Sequence, residues 1–152
     1  MSHELPSRYL ALFGAEPTPE HEITHIEESL GVCLPQDFKD VSSVYCGGIL
    51  GGISHFAFTR GGPAANIVNE TQRLRAAVHL PKCFVALAEP PGSLIVLNTS
   101  TSNPSSAVIW CDAYDVCRLA NPISLHSPHT WPTYSGFFRF LLDIEEQERG
   151  RV

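Results

Sequence analysis

Apolar side chains recur at helical spacing along five stretches of this chain and in short unbroken runs along four others. Tyr9, Leu12 and Phe13 share one side of a short helix predicted over Ser7–Phe13. In TPEHEITHIEESLG, Ile23, Ile26 and Leu30 form the stripe of a second helix. Thr18 is placed as its N-cap and Pro19 at its first helical position, with Glu20 and Glu22 at the positive end of the dipole and Gly31 as the stop. A third helix opens at Pro35, with Phe38, Val41 and Val44 or Tyr45 inward, and with Cys33 and Phe38 spaced as a hydrophobic staple. CGGILGG reads as a turn and HFAF as a short strand. Pro63 starts a fourth helical stretch, with Ile67, Thr71, Leu74 and Val78 on one face and LPK at its end. FVALAE, SLIVLN and AVIW, separated by PPG and by NTSTSNPSS, are predicted as neighbouring antiparallel strands. TYSGFFRFLLDIEEQER closes the pattern as a helix, with Phe137, Phe140, Leu141 and Ile144 inward. Helices flanking a run of strands predict an α+β fold. Its sheet is antiparallel or mixed, of about 4–6 strands, with helices packed mainly on one face.

Length and charge narrow the picture. The 152 residues, 43% of them hydrophobic, fit a single globular domain over 1–152. No apolar run approaches the roughly 20 residues of a membrane helix, and the N-terminus shows no secretory pattern. Five scattered cysteines, none in a C-x-x-C pair, suit a reducing cytoplasm better than a disulfide framework. A net charge of −6 repels phosphate, which argues against nucleic acid as a ligand and attracts a basic protein partner.

The most pointed motif is HEITH, His21 to His25, which matches the H-E-x-x-H of zinc hydrolases. At about 100° per residue, His21, His25 and Glu28 cluster opposite Ile23, Ile26 and Leu30, so the histidines face solvent. The motif also sits in the first turn, where the helix dipole disfavours a cation. Nothing in the spacing selects a third ligand from Glu70 or Glu89. An exposed helix face is therefore expected, with no metal and no cofactor, and a zinc-dependent hydrolase on His21, Glu22 and His25 stands as the alternative. Cys111 and Cys117 are candidate nucleophiles only if His126 or His129 approaches them. The expectation is that Cys111 ends a buried strand and Cys117 packs beneath a turn. Arg60-Gly-Gly-Pro lacks the strand and helix of a phosphate loop. Trp110 is expected in the core and Trp131 at the surface.

IEESLGVCLPQDFKDVSSVYCGG resembles the N-terminal signature of the SUKH superfamily. Ile26, Glu27, Leu30, Gly31, Leu34, Pro35, Phe38, Gly47 and Gly48 occupy the signature positions, while Cys46 stands where that family commonly has asparagine. LPKCFVALAE, GSLIVLNTS, AVIWCDAYD and SGFFRFLL are similar to the family's later strands and closing helix, so the likeness runs over about 20–148. The joint makes physical sense, because Gly31 caps one helix and Pro35 begins the next. The resemblance implies a SUKH-like fold and a cytoplasmic binding protein without catalysis. Its bacterial members neutralise polymorphic or contact-dependent toxins, often nucleases or deaminases, and its fungal members regulate cell-wall synthesis. HEITH then becomes the outer side of the first signature helix. The expected partner is a basic toxin C-terminal domain. The residues expected to meet it are Asp112, Tyr114 and Asp115 after the last strand, with Glu89 and Trp131, because carboxylates beside exposed aromatics suit an interface anchor. Asp143, Glu145, Glu146 and Glu148 are read as the solvated face of the last helix.

Overall fold

The structure, a computed structural model, describes residues 4–100, 106–121 and 125–150. Most of the predicted Ser/Thr loop lies outside the described residues. Five α-helices are present among the described residues: α1 Glu4–Leu12, α2 Glu20–Leu30, α3 Gln36–Ser42, α4 Ile67–Val78 and α5 Tyr134–Arg149. The strands are β1 Gly48–Leu50, β2 Ile53–His55, β3 Phe84–Ala88, β4 Ser93–Asn98, β5 Val108–Asp112 and β6 His129–Trp131, with a 3-10 helix Ala113–Arg118 directly after β5. They form one six-stranded sheet in chain order, antiparallel throughout. The fold is therefore the α+β arrangement expected.

Strand alternation sorts the core into two layers. Val85, Leu87, Ile95, Leu97 and Val108 face α1, α2, α3 and α5, whose Tyr9, Ile26, Phe38, Phe137 and Phe138 complete the larger cluster. Phe84, Ala86, Leu94, Val96, Ile109 and Cys111 face the other way. They are covered by Leu74 of α4, by Leu80, and by Val116, Leu119 and Leu125 around the 3-10 helix. The sheet thus carries its main helical layer on one face and a thinner cover on the other. The strands β2 and β3 pair only at His55 and Ala88. Nearby, the Ala86 N–H donates instead to the buried Thr71 Oγ1 of α4 at 3.0 Å. A helix thus closes a strand edge that β2 does not reach.

Local chemistry explains where the elements differ from expectation. Thr18 does not cap α2; Pro19 holds that position, and the Thr18 hydroxyl donates to the Tyr45 carbonyl at 2.9 Å, tying the α1–α2 loop to the end of α3. Cys33 is exposed and forms no staple, because Leu34 is the buried residue before α3. The fourth helix starts at Ile67 rather than Pro63, since the Asn66 side chain caps it by accepting the Asn69 N–H at 2.9 Å. Along α5, Phe138 and Leu142 are buried, while Phe140 and Ile144 are only half-buried. CGGILGG is a hairpin rather than a turn. Leu50 and Ile53 pair across Gly51 and Gly52, both at positive φ, as a two-residue hairpin turn requires.

Two links place α5, which spans the sheet. At its start Thr133 accepts the Gly136 N–H at 2.9 Å, and Asp37 of α3 accepts both the backbone N–H and the hydroxyl of Ser135 at 2.8 and 2.9 Å. Three turns later, Glu145 Oε1 accepts the Gly51 N–H at 3.1 Å, at the far edge strand.

Candidate partner-binding site

Trp110 and Asp112 share one face of β5, and Trp110 stands opposite His129 while Val108 stands opposite Trp131. On that face α5 meets the sheet through Phe137 and Phe140, whose rings lie 4.8 and 5.2 Å from that of Trp131. Past this contact Trp110 is half-buried and His129 exposed. The result is a surface cleft of about 490 Å³ lined by Trp110, His129, Trp131 and Phe140. The Trp110 Nε1–H donates to Ser93 Oγ at 2.9 Å, which fixes the indole plane. Trp110 is therefore not the core residue expected, and Trp131 sits on a strand rather than in a loop. The strand β6 escapes sequence reading because His-Thr-Trp has no apolar run; its pairing with β5 makes it a strand.

The exit from β5 brings a second group to the same end of the sheet. The Ala113 N–H donates to the Gly92 carbonyl at 3.0 Å, so Asp112 and Tyr114 stand beside the β3–β4 turn that begins at Glu89. Asp112 is exposed and caps the 3-10 helix by accepting the Tyr114 N–H at 3.0 Å. Tyr114 is 89% exposed. Glu89 is exposed and pairs with Arg73 at 2.8 Å, an open pair worth about 0–1 kcal/mol at most. Glu89, Asp112 and Tyr114 thus rim one end of the sheet, and Trp131 lines the cleft on its helical face.

Asp115 is a correction. It is 1% exposed, and its carboxylate accepts the His126 backbone N–H at 3.0 Å, contacts the His126 ring Nδ1 at 3.1 Å and pairs with Arg118 at 3.3 Å. The chain after β5 closes into a 3-10 helix with Asp115 on its inner side, so this carboxylate anchors the return loop instead of facing a partner. Hydrogen bonds from the backbone and ring of His126 hold its carboxyl below the usual aspartate range. The stability it contributes is fully present above the ordinary value of 3.8 and is lost as pH falls through the depressed one. Asp115→Asn is expected to lower the melting temperature at pH 7, with the gap to wild type narrowing in thermal scans taken down to strongly acidic pH. Equal melting at neutral pH would show that the anchor is idle.

The HEITH residues do something else. His21 is exposed, and His25 is half-buried beside Ser29. Glu22 is buried, and it accepts the Arg60 Nε–H at 2.9 Å and the Arg60 backbone N–H at 3.3 Å. Burial pushes its pKa up, but the Arg60 hydrogen bonds outweigh that and hold it below the usual range. Glu22 thus fastens the segment after Phe58 to α2. Among the described residues no group of three or more His, Cys, Asp or Glu is arranged to hold a metal ion. Cys111 is buried, and burial, with Asp115 and Asp112 nearby, pushes its thiol up to about 11, the reverse of an activated nucleophile. Cys117 is exposed rather than packed under a turn, and His126 is turned to Asp115. No helix of the described residues is long and apolar enough to cross a membrane.

Residues 7–118 match the family model SUKH_5, described as SMI1-KNR4 cell-wall. The chain belongs to the SUKH family. No curated protein matches it. The SUKH match starts earlier than the signature residues and ends at the 3-10 helix, before β6 and α5. Within it, the signature has visible work. Glu27 Oε2 accepts the Leu34 N–H at 2.8 Å and pairs with Lys39 at 3.3 Å, locking the helix–turn–helix joint. Gly31 ends α2 in the left-handed conformation at φ 67. Phe38 is fully buried against Phe58 and Tyr134, with ring centroids 4.8 Å from each.

Proposed function

We propose that this SUKH domain acts by binding and has no catalysis of its own. Its partner in this reading is a basic toxin domain, a nuclease or deaminase of a bacterial polymorphic or contact-dependent system, which it neutralises in the cytoplasm. One observation supports this beyond family membership: exposed Asp112, Tyr114 and Glu89 rim the sheet end beside the cleft that holds Trp131. Exposed carboxylates at the same sheet end as exposed and half-buried aromatics fit a partner whose own surface is built to hold phosphate. The net charge of −6 would speed that encounter. Five free cysteines are consistent with a reducing compartment.

The test is co-expression with a candidate basic toxin C-terminal domain, sought first among the genes flanking this one, followed by binding kinetics on the purified pair. Growth should be rescued, and association should slow as salt rises. Asp112→Lys combined with Tyr114→Ala should weaken the complex by roughly 10–100-fold, as loss of a rim charge and an aromatic anchor does. Binding indifferent to both salt and this double substitution would sink the proposal. The cell-wall description of the family favours a second reading, a regulatory scaffold. A stoichiometric partner without toxic activity would establish it. The zinc hydrolase alternative retains only the spacing of His21 and His25, and it would return if bound stoichiometric zinc were lost in His25→Ala.

A further inference from the structure

The cleft at the β5–β6 corner is walled by four rings and by no aliphatic or charged side chain: Trp110, His129, Trp131 and Phe140. Such a site offers a ligand π-surface. The Trp110 indole N–H is already given to Ser93. The hydrogen bond also holds the indole in place, so its share of the π-surface is preorganised. Trp131 is held in turn by Phe137 and Phe140 at 4.8 and 5.2 Å.

Three ligand classes stack on such rings: nucleobases, sugars and cations. Phosphate-bearing ligands are disfavoured by a net charge of −6 and by the carboxylates at this end of the sheet. Asp112 lies on the same face of β5, two residues beyond Trp110, which is about 7 Å along the strand. It is exposed. One carboxylate oxygen accepts the Tyr114 N–H, and an exposed carboxylate on the same strand face as Trp110 complements a flat cation that stacks and pairs at once. Arginine has that shape. Its guanidinium is planar, weakly hydrated and able to lie on a ring while its edge meets a carboxylate, whereas the lysine ammonium is a compact, strongly hydrated point charge.

We propose that this cleft is a receptor for an arginine side chain presented by the partner protein, with the guanidinium stacked among Trp110, Trp131 and Phe140 and facing Asp112. The inference rests on the proposed binding role and adds the chemistry of the contact.

The chain contains two tryptophans, and both are in the cleft, so intrinsic tryptophan fluorescence reports on this site alone. The purified full chain is titrated with hexa-arginine, hexa-lysine and the neutral isostere hexa-citrulline, and separately with a chitin oligosaccharide. A saturable emission change with hexa-arginine is expected, at least roughly tenfold weaker with citrulline and clearly weaker with lysine. Phe140→Leu, at the half-buried edge of the cleft, should weaken the arginine response several-fold while leaving the melting temperature nearly unchanged. Trp110→Leu should weaken the response as well, with Trp131 as the remaining reporter. No saturable response to hexa-arginine would overturn the proposal. So would an equal response to citrulline, or equal responses to arginine and lysine that neither substitution alters, which would mark general acidic attraction. A response to the oligosaccharide in place of the arginine peptide would reassign the cleft to sugar stacking. Because the titration needs no toxin, the two readings fail separately. Toxin binding without an arginine response removes only this inference, and an arginine response without a toxin partner removes only the immunity role.

Discussion

Phe137→Ala is expected to destabilise the protein by about 3–5 kcal/mol. Phe137 is fully buried at the crossing of α5 and the sheet. Its ring lies 4.8 Å from that of Trp131, 6.0 Å from that of His55 and 6.3 Å from that of Tyr134. Truncation removes a large apolar side chain and leaves a cavity between two well-anchored elements. The helix start is pinned by Asp37 and Thr133 and its last turns by Gly51, so the helix cannot slide in to fill the gap. A domain of this size has roughly 5–15 kcal/mol in all. At about 2–4 °C per kcal/mol, the melting temperature should fall by roughly 6–20 °C. Urea denaturation followed by circular dichroism checks the stability, and tryptophan emission checks a second consequence. Trp131 rests on Phe137, so the cleft should loosen and its emission move toward that of solvated indole before global unfolding. Phe137→Leu, which keeps most of the volume, should cost less. A loss under about 1 kcal/mol for the alanine variant would mean that α5 does not seat on the sheet through this ring.

Elements with strong periodicity were legible from the sequence, and those defined by partners were not. The stripe Ile23, Ile26, Leu30 placed His21 outward, though His25 is half-buried beside Ser29, and the three apolar runs became β3, β4 and β5 in the order expected. The hairpin at Gly51 and Gly52 has a sequence signal, two glycines between apolar residues, but the neighbouring Gly47 and Gly48 mask it by making the whole segment resemble a single turn. The strand β6 carried none, since His129 and Thr130 are exposed and it exists only through its ladder to β5. The same division runs through the site. Tyr114 and Asp112 stand where a polar segment after a strand suggested, exposed at its exit. The inward turn of Asp115 depends on His126, eleven residues on, and no local pattern encodes that pairing. The cleft needs Trp110, His129, Trp131 and Phe140 from two strands and a helix, so its existence is a property of the packing.

Gly47→Ala is the other substitution expected to be severe, and Gly48→Ala is its internal control. Both glycines have φ near 99, a conformation in which a side chain is strained by roughly 1–3 kcal/mol. They differ in what a Cβ would meet. At Gly48 there is nothing within 4 Å, whereas at Gly47 the added carbon would lie 2.5 Å from the Phe56 carbonyl oxygen and 2.9 Å from the Ala57 Cα. These are backbone atoms, so no rotamer change relieves the contact. The backbone is also held on both sides. The Phe58 N–H donates to the Cys46 carbonyl at 2.9 Å, and the Phe56 N–H donates to the Leu87 carbonyl at 2.9 Å, in β3. Moving away from the new methyl would break one of these bonds or lift the segment off the sheet, at an overpacking cost of roughly 1–3 kcal/mol beyond the strain. Gly47→Ala should therefore cost about 2–6 kcal/mol and Gly48→Ala about 1–3 kcal/mol, compared by denaturant midpoints at matched slopes. Equal losses would mean that only the backbone angle matters and that the close approach is not present in solution. Unequal losses would explain a detail of the SUKH signature. The first glycine of the pair is needed for space as well as for its angle, because the chain leaving α3 runs directly against the segment that joins β2 to α4.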